Sequence, residues 1–190
     1  MDEIDRKLIS KLQQDGRTNF IELSKIIGYT NVGTKKRVNK LVDRKVLKFS
    51  TLLNITKLGM SAAIILMEIE NSEALEKFLE RFKECPRVVY IFTTMGAYNL
   101  IALVVAEDQE TLESISVEKC SLRSGEGIRR SEFIPVGRIM YSPFMPLEKF
   151  LPSKKKAKAP CNVDCRSCKK YRAECGGCPA ANYYLGKQKK

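Results

Sequence analysis

Five of the seven cysteines crowd into residues 161–190, spaced C-x3-C-x2-C-x6-C-x2-C, and a proline follows the last of them. A segment of about thirty residues with so few large apolar side chains cannot fold on a hydrophobic core alone. Thiolates at this density instead indicate a metal or iron–sulfur site, whose binding energy would then fold the segment. The predicted ligands are Cys161, Cys165, Cys168, Cys175 and Cys178.

The chain contains no histidine, so thiolates must supply the metal ligands of this segment, with at most an occasional oxygen. A structural zinc would use the two C-x2-C pairs, but the gap between the pairs is short for a zinc ribbon. A [4Fe-4S] cluster also takes four thiolates, and the short gaps, the spare fifth cysteine and the closing Cys178-Pro179 step favour it. We therefore predict a [4Fe-4S] cluster as the cofactor and keep zinc as the alternative.

Charge is distributed unevenly along the chain, whose net charge is +12. Lys and Arg exceed Asp and Glu in residues 1–60 and in residues 153–190, whereas acidic residues predominate in residues 61–152. Two basic ends indicate a polyanionic partner, and the acidic middle indicates a different role for that part of the chain.

The chain lacks the run of about 18 uncharged apolar residues that a membrane span needs. Its acidic N-terminal residues do not have the pattern of a secretion signal. We therefore expect a cytoplasmic protein without a membrane partner. Thiols stay reduced in that compartment, which favours metal binding over disulfides for clustered cysteines.

Residues 1–60 have the periodicity of three short helices. Apolar residues recur at helical spacing in residues 4–12 and 20–27, and Gly28 provides a turn before the third helix. Two short helices, a glycine turn and a third helix make a helix-turn-helix. The apolar run 46–55 predicts paired strands that form a wing. Residues 1–60 are therefore predicted to be a winged helix-turn-helix domain that binds DNA.

The third helix, which we expect to start at Thr30 or Asn31, carries polar and basic side chains on its outward face. A recognition helix places its first residues against base edges in the major groove, while basic residues reach phosphates. Asn31 and Thr34 can hydrogen-bond to base edges, and Gly33 permits close approach. The predicted phosphate contacts are Lys35, Lys36, Arg37 and Lys40. The predicted core-facing positions are Val32, Val38, Leu41 and Val42. Double-stranded DNA is the predicted partner, with a protein-binding helix as the alternative.

These residues resemble the N-terminal signature of the Lrp/AsnC, or feast/famine, transcription regulators. The resemblance runs in order through Asp5–Ile9, Leu12–Arg17, Glu22–Ser24, Gly28–Thr30 and Lys36–Leu41. One departure is Lys45, where the family usually has glycine before the wing strand. The resemblance implies a transcription regulator rather than an enzyme, and the absence of histidine, of a phosphate-cradling loop and of paired carboxylates agrees with it.

Residues 61–150 alternate strands and helices in the order β-α-β-β-α-β, which is that of a ferredoxin-like α+β domain. The predicted strands are Ser61–Ile69, Val88–Thr94, Tyr98–Ala106 and Ile128–Met140. Ser72 is expected to cap the first helix, and Asp108 or Thr111 to open the second. One face of the open sheet needs cover, which predicts self-association into a homodimer or a higher homo-oligomer.

This middle segment resembles the ligand-binding and assembly domain of the same family. Gly96-Ala97-Tyr98-Asn99-Leu100 matches the family's G-x-Y-D-L hairpin, with Asn99 where aspartate is usual. The resemblance implies assembly through residues 61–140 and a small-molecule effector pocket near Gly96, Tyr98 and Asn99. The alternative is that the hairpin is only a turn in a domain that only assembles.

The rest of the chain is predicted to be a basic linker, residues 151–160, and a cysteine-rich module, residues 161–190. Cys85 and Cys120 are interpreted as small buried hydrophobes without a further role. We predict an oligomeric, sequence-specific DNA-binding transcription regulator that senses redox state, oxygen or iron through its C-terminal [4Fe-4S] cluster. The alternative is a regulator that responds to an amino acid or another small molecule, with a structural zinc site in its tail.

Overall fold

The computed structural model describes residues 1–151 and 156–186, which fall into two compact units, Met1–Thr51 and Leu52–Lys190. The first unit contains the helices α1 (Glu3–Gln14), α2 (Phe20–Ile27) and α3 (Asn31–Asp43). Each helix starts after a polar residue whose side chain accepts a backbone N–H of the first turn. Gly28 ends α2 in the left-handed conformation, with φ of 70°, and so forms the turn of the helix-turn-helix.

Among its described residues, the second unit contains six strands and two further α-helices. The strands are β1 (Leu53–Asn54), β2 (Ser61–Ile69), β3 (Val88–Thr93), β4 (Leu100–Ala106), β5 (Ile128–Pro135) and β6 (Phe144–Met145), and the helices are α4 (Ser72–Phe82) and α5 (Gln109–Val117). The four long strands pair antiparallel in the order β3-β4-β2-β5. The predicted α+β ferredoxin-like order is therefore confirmed. The cap of α4 is Asn71 rather than Ser72.

The paired strands of the predicted wing do not form, so that prediction was wrong. Of the described residues 46–55, only Leu53–Asn54 is a strand, and its partner is Phe144–Met145 in the second unit. The chain turns at residues 55–59 directly after this short strand, and Val46 and Phe49 stay exposed. Lys45, where a glycine is usual, adopts φ of 56° and turns the chain after α3.

The main core of the second unit lies between one face of the four-stranded sheet and the helices α4 and α5. Ile65, Met67 and Val104 from the sheet meet Phe82 from α4 and Leu112 from α5, and all are fully buried. The other face is partly covered by a second cluster, made of Ile55, Ala62, Val105, Leu147 and Phe150. Ile64, Phe92 and Ile134 remain exposed on the strands. None of the helices in the described part of the chain has the length and apolar character of a membrane span.

The cysteine-rich tail is part of the second unit instead of a separate module. Apart from a short 3-10 helix at Cys165–Ser167, residues 156–186 fold through turns. Residues 152–155 of the predicted linker lie outside the described residues. Residues 156–160 belong to the fold of the tail, because Lys156 bonds through its backbone to Ala180 and Asn182, and Ala159 is buried.

Candidate nucleic-acid interface and candidate metal centre

The outward face of α3 carries most of the residues that were predicted to contact DNA. At 100° per residue, positions 31, 35, 36, 39 and 40 share one half of the helix, and all five are exposed. Gly33 is half-buried, and its N–H donates to the Thr30 hydroxyl oxygen over 3.1 Å, so it serves the N-cap of the helix. Asn31, Lys35, Lys36 and Lys40 remain the predicted contacts to bases and phosphates.

Thr34 is fully buried, which corrects its predicted role in base recognition. It lies on the core stripe of α3 with Val38 and Leu41, and its hydroxyl donates to the Thr30 carbonyl oxygen over 2.9 Å. Val32, which was expected in the core, is 66% exposed on the outward face. A valine there can contact a thymine methyl group, as apolar side chains do in the major groove.

Arg37 binds the start of α1, and its contact to a phosphate stays a prediction. Its Nη1 donates to Asp2 over 2.7 Å and to Asp5 over 2.6 Å, and the guanidinium lies 5.5 Å from the Tyr29 ring centre. The hydrogen bond from Arg37 lowers the pKa of Asp5 below its ordinary value. Arg37 therefore joins α3 to α1.

The predicted effector residues lie in the hairpin between β3 and β4. The Asn99 amide bonds both backbone groups of Ile69, accepting from its N–H over 2.8 Å and donating to its carbonyl oxygen over 2.7 Å. An ionised aspartate could accept but not donate, so only an amide completes this pair. The Tyr98 hydroxyl donates to Glu132, and Gly96 is exposed at the tip. The departure at Asn99 thus has a structural use, and the effector pocket stays a prediction.

Cysteines from three parts of the second unit surround one small cavity of about 40 Å³. Four belong to the tail, and two come from the ferredoxin-like domain, after α4 and after α5. The six are Cys85, Cys120, Cys161, Cys165, Cys175 and Cys178. The rest of the wall is mainly apolar and includes Ile65, Val104, Ile115, Leu122 and Phe133. The structure therefore brings together four of the five predicted ligands and adds two cysteines that were not predicted.

Cys168 is the predicted ligand that does not line this cavity. It faces an adjoining cavity of about 230 Å³ beside Glu118, and Cys120, Cys165 and Cys175 line both spaces. Cys168 thus stands on the outer side of the cysteine group.

Sequence reasoning missed Cys85 and Cys120 because each stands alone in the chain. Only the folded tail, which returns to α5 and to the start of β3, brings them beside the other thiols. One signal was available, since Cys85-Pro86 repeats the Cys-Pro step of Cys178-Pro179.

A buried polar network holds the tail against the domain beside this cavity. Arg87 and Glu107 are each at most 6% exposed, and Nη2 of Arg87 donates to Oε1 of Glu107 over 3.0 Å. The same Nη2 donates to the carbonyl oxygen of Gly177 over 2.8 Å. The Tyr184 hydroxyl donates to the Glu107 carboxylate. The tail thus completes the hydrogen bonds of an ion pair that the domain buries.

Burial raises the pKa values of three of these thiols, which favours their protonated forms near neutral pH. Burial raises the pKa of Cys178 to about 12 and also raises the pKa of Cys120. Burial raises the pKa of Cys85, and the neighbouring Cys161 raises it further. The nearby Arg87 charge lowers the pKa of Cys120 and Cys178 in part. A metal bound here must displace the protons of its ligands, so binding would release them.

The loop between Cys175 and Cys178 requires glycine at both inner positions. A Cβ on Gly176 would lie 2.2 Å from the Gly186 carbonyl oxygen, and Gly177 has φ of 91°. The Gly177 N–H donates to Cys175 Sγ over 3.4 Å, which is the kind of backbone bond that supports a ligating sulfur.

The cysteines stand around a space instead of converging on one point. Among residues 1–151 and 156–186, no three Cys, Asp or Glu side chains already form a ligand set for a metal ion. A single zinc needs four sulfurs at about 2.3 Å from one point. An iron–sulfur cluster distributes its four thiolates over several irons. The thiols around this cavity fit the four thiolate ligands that such a cluster takes, and the identity of the cofactor stays a prediction.

Comparison with known proteins places two family matches on the chain. Residues 1–42 match the AsnC-type helix-turn-helix domain, and residues 62–138 match the Lrp/AsnC ligand binding domain. Both ranges end before the five tail cysteines, whereas Cys85 and Cys120 lie inside the second. The tail is therefore an addition to the two matched domains.

Two relatives from Pyrococcus have similar sequences. Over 134 residues the chain is 31% identical to an uncharacterized HTH-type transcriptional regulator of Pyrococcus horikoshii, covering 70% of this chain and 83% of the relative. Over 120 residues it is 31% identical to the HTH-type transcriptional regulator LrpA of Pyrococcus abyssi, covering 63% of this chain and 85% of the relative.

Solved structures share the fold. The leucine response regulatory protein of Mycobacterium tuberculosis superposes with a TM-score of 0.66 at 22% identity, over 75% of this chain and 97% of that one. A transcriptional regulator from Neisseria meningitidis, solved as a complex with L-methionine, superposes with a TM-score of 0.65 at 21% identity, over 75% of this chain and 94% of that one.

Proposed function

Because the chain belongs to the Lrp/AsnC family of DNA-binding transcription regulators, we propose that an iron–sulfur cluster in its cysteine cavity supplies the signal it responds to. The observation that carries the proposal is the gathering of six thiols around one cavity with mainly apolar walls. When bound, a [4Fe-4S] cluster supplies a group whose presence depends on iron supply, oxygen and redox state. Occupancy of the site is then the signal.

The site can act as a switch because the tail depends on it. The described part of the tail has one 3-10 helix of three residues and few large buried apolar side chains, so its packing rests on turns and polar contacts. Ligand binding adds folding free energy to such a segment. The loaded chain would hold the tail over α5 and the end of β4, and the empty chain would hold it less firmly.

The DNA contacts are assigned to the exposed side of α3. Lys35, Lys36 and Lys40 would reach phosphates, while Asn31 and Val32 would face base edges. The four-stranded sheet would assemble two or more copies of the chain, since Ile64, Phe92 and Ile134 are exposed on its strands. This arrangement suits a homo-oligomer that binds double-stranded DNA in the cytoplasm.

A second candidate function is gating by a small molecule, with zinc as a structural ion in the tail. The match of residues 62–138 to a ligand binding domain favours it, as does the L-methionine complex of the structural relative from Neisseria meningitidis. In this chain the amide of Asn99 is already bonded to Ile69, so an amino acid would have to be recognised by other groups of the hairpin or by a second subunit.

The test begins with the full chain purified without oxygen. Iron, zinc and acid-labile sulfide are measured beside the visible spectrum, and DNA affinity is measured with the cluster present and after its removal by a chelator. About four iron and four sulfide per chain, with a change in DNA affinity on removal, would support the proposal. One zinc without colour, or iron whose removal leaves DNA affinity unchanged, would overturn it, and a shift caused by amino acids would favour the second candidate.

A further inference from the structure

We infer that the metal ligands are shared between the tail and the ferredoxin-like domain, with Cys85 and Cys120 as two of the four and Cys168 as none of them. The inference rests on the proposed function in that it takes the bound group to be an iron–sulfur cluster. Its basis is the set of cysteines around the cavity, which includes these two and leaves Cys168 outside.

Cys85 and Cys120 lie in the short turns that follow α4 and α5. Cys85 follows α4, and its N–H donates to the Phe82 carbonyl oxygen over 2.9 Å. Cys120 follows α5, in the turn where the Ser121 N–H donates to the Glu118 carbonyl oxygen over 2.8 Å. Each cysteine stands three residues after the last residue of its helix, in a turn that a backbone hydrogen bond closes. The domain therefore offers two fixed thiols, and the tail brings the remaining two.

The tail approaches these thiols in a defined orientation. Gly177 is bonded to Arg87, two residues from Cys85, and Glu174 accepts from the Ser114 hydroxyl of α5 over 3.3 Å. These two contacts hold the Cys175–Cys178 loop beside the start of β3 and beside α5. Cys175 and Cys178 then line the same cavity as Cys85 and Cys120.

Six cysteines line the cavity, whereas a cluster takes four. Which four bind the cluster decides whether it joins the tail to the domain. If the tail alone supplied the ligands, the cluster would fold the tail but would not fix it to the domain. With Cys85 and Cys120 as ligands, it joins the tail to the ends of α4 and α5. Each thiol that becomes a ligand exchanges its proton for a bond from sulfur to iron and releases that proton to solvent.

The decisive experiment is reconstitution of the full chain with ferrous iron and sulfide under anaerobic conditions. Wild type is compared with Cys85→Ser, Cys120→Ser and the matched control Cys168→Ser. We expect the first two variants to lose iron, sulfide and visible absorbance, and the control to bind both like wild type. Full iron and sulfide in Cys85→Ser and Cys120→Ser, or their loss in Cys168→Ser, would overturn the inference.

A second measurement does not depend on the folding of a variant. The loaded wild-type chain is alkylated before and after removal of iron by a chelator, and the modified cysteines are identified by mass spectrometry. Cys85 and Cys120 should be protected only while iron is bound, and Cys168 should react equally in both states. Equal reactivity of Cys85 and Cys120 in both states would contradict shared ligation.

The outcomes separate this inference from the proposed function. A wild-type chain that binds no iron under these conditions defeats both. A chain that binds iron without needing Cys85 and Cys120 defeats only the shared ligand set. A zinc-binding chain that needs both cysteines would support the shared site and overturn the proposed cluster.

Discussion

The guanidinium of Arg87 donates a hydrogen bond from Nη2 to the carbonyl oxygen of Gly177 over 2.8 Å, which ties the ferredoxin-like domain to the cysteine loop of the tail. The same guanidinium pairs with Glu107, and the Tyr184 hydroxyl reaches that carboxylate from the tail. Buried polar networks of this kind fix one geometry when every member is bonded. Docking of the tail therefore does not depend on a metal alone.

Replacing Arg87 with alanine should free the tail and destabilise the second unit. The substitution leaves the Glu107 carboxylate buried without its partner, and breaking such a buried ion pair lowers the free energy of unfolding by roughly 3–5 kcal/mol. The tail should then be cut faster in limited proteolysis, and the denaturant midpoint should fall.

The matched control is Arg129→Ala, which removes an exposed arginine 3.9 Å from Glu68. Exposed pairs contribute only about 0–1 kcal/mol, so this variant should behave like wild type. An Arg87→Ala protein with wild-type proteolysis and an unchanged midpoint would show that the tail is held in another way.

On α3, removal of exposed lysines should weaken DNA binding at every sequence. Each lost phosphate contact at Lys35, Lys36 or Lys40 should lower the slope of log affinity against log salt by about one. The measurement is fluorescence anisotropy over a salt series, on a DNA site selected from a random pool by the wild-type protein.

Thr34→Val is the control on the same helix, because Thr34 is buried and its hydroxyl is bonded to Thr30. The change keeps the shape of the side chain and removes one hydrogen bond, which costs about 1 kcal/mol of stability. DNA affinity should stay unchanged. A loss of affinity as large as that of the lysine variants would restore Thr34 as a base contact.

The fold of the second unit could be predicted because the sequence patterns of its strands and helices are local. The apolar run of Ser61–Ile69 and the helical spacing of residues 72–82 depend only on neighbours in the sequence. The family matches confirm the prediction of an Lrp/AsnC regulator, and the named relatives confirm that it is not an enzyme.

The features that sequence reasoning missed depend on contacts between distant segments. Cys85 and Cys120 gain neighbours only when the tail folds back, and β1 finds its strand partner some 90 residues later. The prediction for Thr34 was wrong for a different reason. A threonine hydroxyl can donate a hydrogen bond to the carbonyl oxygen four residues earlier, so the side chain can lie in a core.

Acid should weaken the first unit through the pairing of Arg37 with Asp2 and Asp5. The hydrogen bond from Arg37 holds the pKa of Asp5 below its ordinary value of 3.8. A carboxylate with a lowered pKa stabilises the fold fully above the unfolded value, and that stability is lost as pH falls through the folded value. The urea midpoint of the helical circular dichroism signal should therefore fall as the pH drops below about 4.

The Arg37→Gln variant should be less stable near neutral pH and should lose most of this acid dependence. Lys7→Gln removes the exposed ion pair that Lys7 makes with Glu3 within α1, and this variant should keep the acid dependence. An Arg37→Gln chain with the pH profile of wild type would mean that other carboxylates cause the acid sensitivity.

Adding a single methyl group at Gly176 should disrupt the cysteine cavity. The new Cβ would lie 2.2 Å from the Gly186 carbonyl oxygen, which is backbone and cannot rotate away. The chain must then move where the Leu185 N–H donates to the Gly176 carbonyl oxygen over 2.9 Å. Strain of this kind costs about 1–3 kcal/mol, and here it falls on the residue next to Cys175. Gly176→Ala should therefore bind less iron and expose the tail to protease.

Gly137→Ala provides the comparison, because, in the described part of the chain and apart from the adjoining residues, no heavy atom lies within 4 Å of a Cβ built there. It should match wild type in iron content and in the proteolysis of the tail. If Gly176→Ala also matched wild type in both, the close approach of Gly176 to Gly186 would not be needed for the site. A loss of iron confined to Gly176→Ala would instead tie the metal to the geometry of the Cys175–Cys178 loop.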